Sequence, residues 1–203
     1  YGMTEIGMAL SNPLLGARVA GAVGSPLPGV EVDVVRDDGS PCDVDEAGEL
    51  RVRSTQLFSS YFGDEAATSA SFDEQRRFRT GDTGTRDRDG AFRLLGRTST
   101  DILKSGGYKL SALEIEEALR AHPDIVEVAI VGCPDAEWGD AVTACCVLKA
   151  GSTLDLATLR AWAKAVMAPY KVPRALHVID ALPRNAMGKV QKKELREAVS
   201  SAR

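Results

Sequence analysis

The chain has 203 residues, 44% of them hydrophobic, which suffices for one or two modest cores. Its 25 Lys and Arg against 29 Asp and Glu leave a net charge of −4, which excludes a general attraction to nucleic acid or an anionic membrane, so any polyanion site must be local. No apolar run reaches the roughly 20 residues of a membrane span, and Cys42, Cys133, Cys145 and Cys146 form no C-x-x-C pair. With only His122 and His177 beside them, this argues for reduced structural thiols rather than zinc ligands.

In chain order, the first half reads mostly as short strands. Val30 to Val35 alternates apolar and charged residues, Asp37-Asp38-Gly39-Ser40 is a turn, and Gly48 to Arg53 alternates again, so a half-buried antiparallel hairpin is expected. Glu65 to Ser71 suits a short helix. A further turn, Asp87-Arg88-Asp89-Gly90, separates strand-like Thr83-Gly84-Thr85 from Ala91 to Leu95. The region reads as a small β-rich subdomain.

From Arg97 the pattern changes to alternating helices and strands. Ser111 and Glu114 form a capping box, so a helix should start there and run to about Ala121, where His122-Pro123 stops it. Strands follow over Ile125 to Gly132 and Ala141 to Lys149. Leu156, Leu159, Ala163 and Val166 recur at helical spacing with Trp162 beside them, predicting an amphipathic helix over Leu154 to Met167. A third strand, Ala175 to Ile179, and a terminal helix, Lys192 to Val199, complete the reading. The fold class is therefore α+β, with a β-rich part over residues 1–97 and an αβ part over 98–203. They are joined through Thr98-Ser99-Thr100, small polar residues able to absorb a backbone rotation.

Four segments carry chemistry. Tyr1-Gly2-Met3-Thr4-Glu5 offers an aromatic face for a base, a glycine permitting close approach, a hydroxyl for phosphate and a carboxylate for a divalent cation, although alone it reads more readily as a turn with a buried tyrosine. Thr80-Gly81-Asp82 ends in a carboxylate able to accept from two hydroxyls at once, and Gly96-Arg97 adds a guanidinium suited to ribose and phosphate oxygens. Lys104-Ser105-Gly106-Gly107-Tyr108-Lys109 joins two glycines to two cations, either a solvated turn or a loop lying along a narrow ligand. Pro183-Arg184-Asn185-Ala186-Met187-Gly188-Lys189 presents a lysine from a glycine turn.

Taken in this order and at these separations, the segments resemble the C-terminal half of an adenylate-forming enzyme of the acyl-CoA synthetase, luciferase and peptide-synthetase adenylation family. The resemblance implies the β-rich end of a large N-terminal domain (1–97) followed by a small mobile lid (98–203). It further implies that Tyr1 stacks on adenine, Gly2 belongs to the nucleotide site, Thr4 contacts the α-phosphate, Glu5 holds Mg²⁺, Asp82 binds ribose, and Arg97 contacts ribose and phosphate. Lys189 would bridge the carboxylate and the α-phosphate, the hinge would lie among Ser99, Thr100 and Asp101, and Lys104 to Lys109 would line the pantetheine tunnel. Trp138-Gly139 resembles the W-G turn near the CoA entrance of acyl-CoA synthetases, and is equally a core anchor for its loop.

Residues 1–10 and 102–110 are most similar to malonyl- and methylmalonyl-CoA synthetases. The implied substrates are ATP, CoA and a small carboxylic acid, with Mg²⁺ as cofactor, no nucleic acid or membrane partner, and the N-terminal part of the same enzyme missing. A cytoplasmic or mitochondrial-matrix location is expected. A stand-alone amino-acid adenylation domain loading a carrier protein, or a non-catalytic interaction fragment, are the alternatives.

Overall fold

The computed structural model describes residues 1–201. It divides into two compact units, Tyr1–Thr98 and Ser99 onward. The division falls at Thr98 because this residue is bonded into the first unit: its N–H donates to the Gly81 carbonyl (2.9 Å) and its hydroxyl meets that of Thr83 (2.8 Å).

In the first unit, β1 (Gly2–Met3) and β2 (Gly7–Met8) form a minimal hairpin. A six-stranded antiparallel sheet contains β3 (Leu10–Ser11), β4 (Ala22–Pro26), β5 (Val30–Val35), β6 (Gly48–Ser54), β7 (Phe78–Arg86) and β8 (Phe92–Arg97), in the order β3-β4-β8-β7-β6-β5. One short helix, α1 (Glu65–Ala70), is capped by Asp64, whose side chain accepts from the Ala67 N–H. The period-2 pattern decides the sheet's faces. Val30, Val32, Val34, Leu50, Val52, Phe78 and Phe92 share one core with Ile6 and Leu10.

On the other face, Arg51 and Arg77 are themselves buried. Both guanidinium groups reach one Asp73 oxygen at 2.8 Å, and Arg77 also pairs with Asp33 at 3.0 Å. Burial alone would raise the Asp73 pKa. Hydrogen bonds from the Arg77 backbone and from both guanidinium groups override it and hold the carboxyl at about 2.

The second unit begins with a hairpin, β9 (Ile102–Ser105) and β10 (Tyr108–Ser111). α2 (Ala112–Arg120) follows, with the Ser111 hydroxyl accepting from the Glu114 N–H as the sequence predicts. The Glu114 carboxylate takes the Lys171 ammonium. β11 (Ile125–Asp135) and β12 (Gly139–Leu148) form a long hairpin. α3 (Leu156–Val166), β13 (Ala175–Val178) and α4 (Lys192–Ser201) complete the unit.

The sheet order is β10-β9-β12-β11, with β13 parallel to β12. Alternate residues of the central hairpin serve two cores. Val128, Ile130, Val142, Ala144 and Cys146 pack with Ile115, Leu119, Leu159 and Ala163, whereas Ala129, Val131, Cys133 and Cys145 pack with Leu182, Leu195 and Val199. Helices α2 and α3 thus cover one face and α4 the other, which is why both strands read as unbroken apolar runs. The expected α3 stripe is narrower than its spacing predicts: Leu159 and Ala163 are buried, but Val166 is 50% exposed.

Candidate functional site

The first unit brings together Tyr1, Thr80, Asp82 and Arg97. Thr80-Gly81-Asp82 lies within strand β7, and Asp82 is the direct cross-strand partner of Arg97 on β8. Cross-strand neighbours have side chains close enough to interact, and Arg97 Nε lies 3.2 Å from Asp82 Oδ1. The other Asp82 oxygen accepts from the Tyr1 hydroxyl at 2.5 Å. Arg97 Nη1 donates to the Thr80 carbonyl (2.7 Å), while the Thr80 hydroxyl accepts from the Asp82 N–H (3.0 Å) and donates to Leu50 O (2.7 Å). Asp82 is therefore fixed through backbone, phenol and guanidinium. Burial, then the hydrogen bond and charge of Asp82, push the Tyr1 phenol well above its ordinary range, so it stays a neutral donor.

Thr4 and Glu5 lie in the turn between β1 and β2, where the Ile6 N–H donates to Met3 O at 3.2 Å. The turn needs its glycines. A Cβ on Gly2 would stand 2.2 Å from the Gly7 carbonyl oxygen, and Gly7 has φ +62°. Thr4 is exposed. Glu5 Oε1 accepts from the Tyr61 hydroxyl at 3.1 Å, a contact across 56 residues for which the sequence carries no signal. Burial, opposed by a hydrogen bond with Ser71 and aided by Glu5, raises the Tyr61 pKa.

Among the described residues no group of three or more His, Cys, Asp or Glu side chains could hold a metal ion. A single fixed carboxylate fits Mg²⁺, which is commonly bound through one or two carboxylates together with substrate phosphates and water.

In the second unit, Lys104 to Lys109, read from sequence as either a solvated turn or a loop along a ligand, is a tight β-hairpin with a two-residue turn. Gly106 (φ +57°) and Gly107 (φ +82°) both occupy the left-handed region required by a two-residue turn that follows strand twist. Ser105 is buried, whereas Lys104, Tyr108 and Lys109 are exposed. Two contacts hold the hairpin: the Gly106 N–H donates to Trp138 O (2.9 Å), and the Lys104 N–H to Asp140 Oδ2 (3.0 Å). Trp138 sits in the three-residue turn between β11 and β12, where Asp135 Oδ1 accepts from the N–H groups of Glu137 and Trp138, each at 3.0 Å. The Arg174 guanidinium lies 3.2 Å from the centroid of the Trp138 ring. Tyr108 stacks on Tyr170 with centroids 4.6 Å apart.

Lys189 ends a turn built around Asn185. Asn185 Oδ1 accepts from the N–H groups of Met187 and Lys189, each at 3.0 Å, and Arg184 donates to Gly188 O (2.7 Å) while pairing with Glu127 of β11 (2.7 Å). The Lys189 side chain is exposed and has no carboxylate partner among the described residues. Asn185 and Arg184 are the supporting residues that the motif named without assigning a role.

The hairpin and the Lys189 turn are far apart. Arg184 anchors the turn to Glu127, near the start of β11, whereas Gly106 meets Trp138 beyond the last residue of β11, Asp135. At ~3.3 Å per strand residue, roughly 25 Å separates these anchors. Strand β9, which carries the hairpin, and β11, which anchors the Lys189 turn through Glu127, are separated by β12 in the sheet order.

Thr98 is bonded into the first unit and Asp101 into the second, through Ala112 N–H to Asp101 O (2.7 Å) and Lys192 Nζ to Asp101 Oδ1 (2.6 Å). Between them, Ser99 and Thr100 have no hydrogen bond among the described residues.

The chain matches the family models for AMP-binding enzyme over residues 1–62 and AMP-binding enzyme C-terminal domain over 114–189. It is 49% identical over 210 residues to a probable CoA ligase of Humulus lupulus, covering 98% of this chain and 35% of that protein. It is 48% identical over 214 residues to the mitochondrial malonate–CoA ligase of Mus musculus, covering 96% of this chain and 36% of that protein. Its fold matches ATP-bound MatB from Rhodopseudomonas palustris at a TM-score of 0.88 and 38% identity, over 100% of this chain and 40% of that one. The chain thus spans about a third of the length of the curated relatives it matches.

Proposed function

We propose that this chain, which belongs to the AMP-binding family of adenylate-forming enzymes, is the C-terminal portion of an ATP-dependent acyl-CoA synthetase acting on malonate or methylmalonate. The observation that carries this reading is the placement of two cationic turns at opposite ends of one unit, with the Tyr1–Asp82–Arg97 cluster on the other. Turns some 25 Å apart cannot serve the same reacting atoms together. They suit two steps performed in succession around one bound nucleotide.

In the first step the substrate carboxylate attacks the α-phosphorus of ATP, the bond to the β-phosphate oxygen breaks, and acyl-adenylate and pyrophosphate form. Tyr1 offers its ring to adenine, Asp82 accepts from ribose hydroxyls, and Arg97 sets the orientation of Asp82 while facing ribose and phosphate. Thr4 donates to the α-phosphate. The Lys189 ammonium stabilises the charge that builds on the phosphoryl oxygens. Glu5 would hold Mg²⁺, which supplies Lewis-acid neutralisation of the phosphates.

In the second step the CoA thiol, as thiolate, attacks the acyl carbon and AMP leaves. Rotation at Ser99–Thr100 withdraws Lys189 and brings the Lys104–Lys109 hairpin to the pantetheine arm, with Trp138 behind it. The rigid hairpin suits this role better than a mobile loop, because it presents the bare backbone of Gly106 and Gly107 without an ordering cost.

The test uses the full-length enzyme with ATP, Mg²⁺ and CoA, following AMP and acyl-CoA with malonate, methylmalonate, acetate and a panel of amino acids. The expected result is CoA-dependent AMP release with malonate or methylmalonate at least tenfold above acetate. Amino-acid-dependent pyrophosphate exchange without thioester formation on CoA would instead establish an adenylation domain that loads a carrier.

A further inference from the structure

The ammonium of Lys192, the first residue of α4, meets two parts of the second unit at once, and through one of them a third. It lies 2.6 Å from Asp101 Oδ1, on the segment that leads in from the first unit, and 2.8 Å from Glu116 Oε1 on α2. That Glu116 oxygen also accepts from the Ile130 N–H of β11 at 2.8 Å. The lysine and Asp101 side chains are each 13% exposed and that of Glu116 is 5% exposed, so water screens the group little. Both carboxylates meet at this cation, and the Arg120 guanidinium also lies 3.9 Å from Glu116. Removing the ammonium takes a close positive charge from both carboxylates in a partly dry site.

Lys192 lies three residues beyond Lys189, and the Gln191 N–H closes the base of the Lys189 turn on Pro183 O at 2.8 Å. We infer that Lys192 is a positioning residue for the adenylation step. Its ammonium ties the base of the Lys189 turn to Asp101, so that backbone rotation is confined to Ser99 and Thr100 and is transmitted to Lys189 without slack. This rests on the proposed synthetase reading. The tip of the thioester hairpin has bonds of its own, from the Gly106 N–H to Trp138 O and from the Lys104 N–H to Asp140, which also lies 3.6 Å from Arg196 of α4.

Two substitutions test the inference in the full-length enzyme. Lys192→Met keeps much of the side chain's length and removes the charge. Lys192→Arg keeps the charge and can reach both carboxylates. In Lys192→Met, kcat for pyrophosphate exchange should fall at least tenfold with the KM for ATP changed less than threefold, while thiolysis of a supplied acyl-adenylate stays within threefold. Lys192→Arg should retain both half-reactions. Equal loss of both half-reactions in Lys192→Met, or no loss in either, would overturn the inference.

Hydrogen exchange on the 203-residue chain gives a readout that does not depend on the reaction. In Lys192→Met the amides of Ala112 and of Asn185, Gly188 and Lys189 should exchange at least tenfold faster together, while the Gly106 amide is unchanged. Unaltered exchange in the Lys189 turn would refute the tie even if the wild-type enzyme proved to have another activity. Absence of exchange activity in the wild-type enzyme, with the amides responding as expected, would instead refute the synthetase reading and leave the tie standing.

Discussion

Gly106 and Gly107 offer a paired substitution whose two members share one backbone penalty and differ in one contact. Both residues have positive φ, so alanine at either should cost roughly 1–2 kcal/mol from left-handed backbone strain. At Gly107 the new methyl group meets nothing within 4 Å. At Gly106 it would stand 2.9 Å from two carbons of the Trp138 ring, whose residue is tied by its carbonyl to this same Gly106 and whose ring carries the Arg174 guanidinium. Forcing the ring aside should add ~1–2 kcal/mol, the scale of overpacking.

The assay is urea unfolding of the whole chain followed by tryptophan emission. The only two tryptophans, Trp138 and Trp162, both lie in the second unit, so the signal reports that unit. With a denaturant slope of roughly 1–3 kcal/mol/M, Gly106→Ala should lower the midpoint about twice as far as Gly107→Ala. Equal shifts would mean that the Trp138 ring yields freely and does not brace the hairpin.

Three further outcomes follow from the same geometry. The Asp73 carboxyl is held at about 2, below its unfolded value of about 3.9, so its contribution of about 2 kcal/mol is present above pH ~4 and is lost as pH falls through 2. Asp73→Asn should destabilise the first unit by ~3–5 kcal/mol at pH 7, because two buried guanidinium groups lose their shared partner, and the gap to wild type, followed by circular dichroism melts, should narrow between pH 4 and pH 2. Asn185→Ala in the full-length enzyme removes both bonds that shape the Lys189 turn and should lower pyrophosphate exchange about ten- to a hundredfold while thiolysis changes less than threefold. Burial, with a neighbouring cysteine, pushes the Cys145 and Cys146 thiols up to about 12, so a disulfide-exchange reagent at pH 8 should label neither until the chain is unfolded in denaturant.

The parts of this architecture that sequence reveals are those whose cause is local. Ser111 marks the start of α2 because its hydroxyl caps a helix three residues on. The apolar runs around Cys145 announce strands because both of their faces are covered. The β9–β10 hairpin escapes such reading, because its turn is two glycines flanked by serine and tyrosine and its stability comes from Trp138 and Asp140, more than 30 residues away. Strands of two residues, such as those flanking Thr4 and Glu5, are too short to show any period.

The site divides along the same line. Asp82 and Arg97 stand out as motif residues, but that they face each other depends on the register of β7 and β8. The partnership of Tyr61 with Glu5 and that of Lys192 with Asp101 join residues 56 and 91 positions apart, and no spacing rule connects them.

Division of labour between the two turns of the second unit is tested most directly by Lys189→Ala in the full-length enzyme, with each half-reaction measured separately. Pyrophosphate exchange should fall by roughly 10² or more, the scale for losing one charge-stabilising donor. Thiolysis of a supplied acyl-adenylate by CoA should remain within about threefold of wild type, because the hairpin at the far end of the unit is untouched. An equal fall in both half-reactions, or full exchange activity without the Lys189 ammonium, would contradict the account.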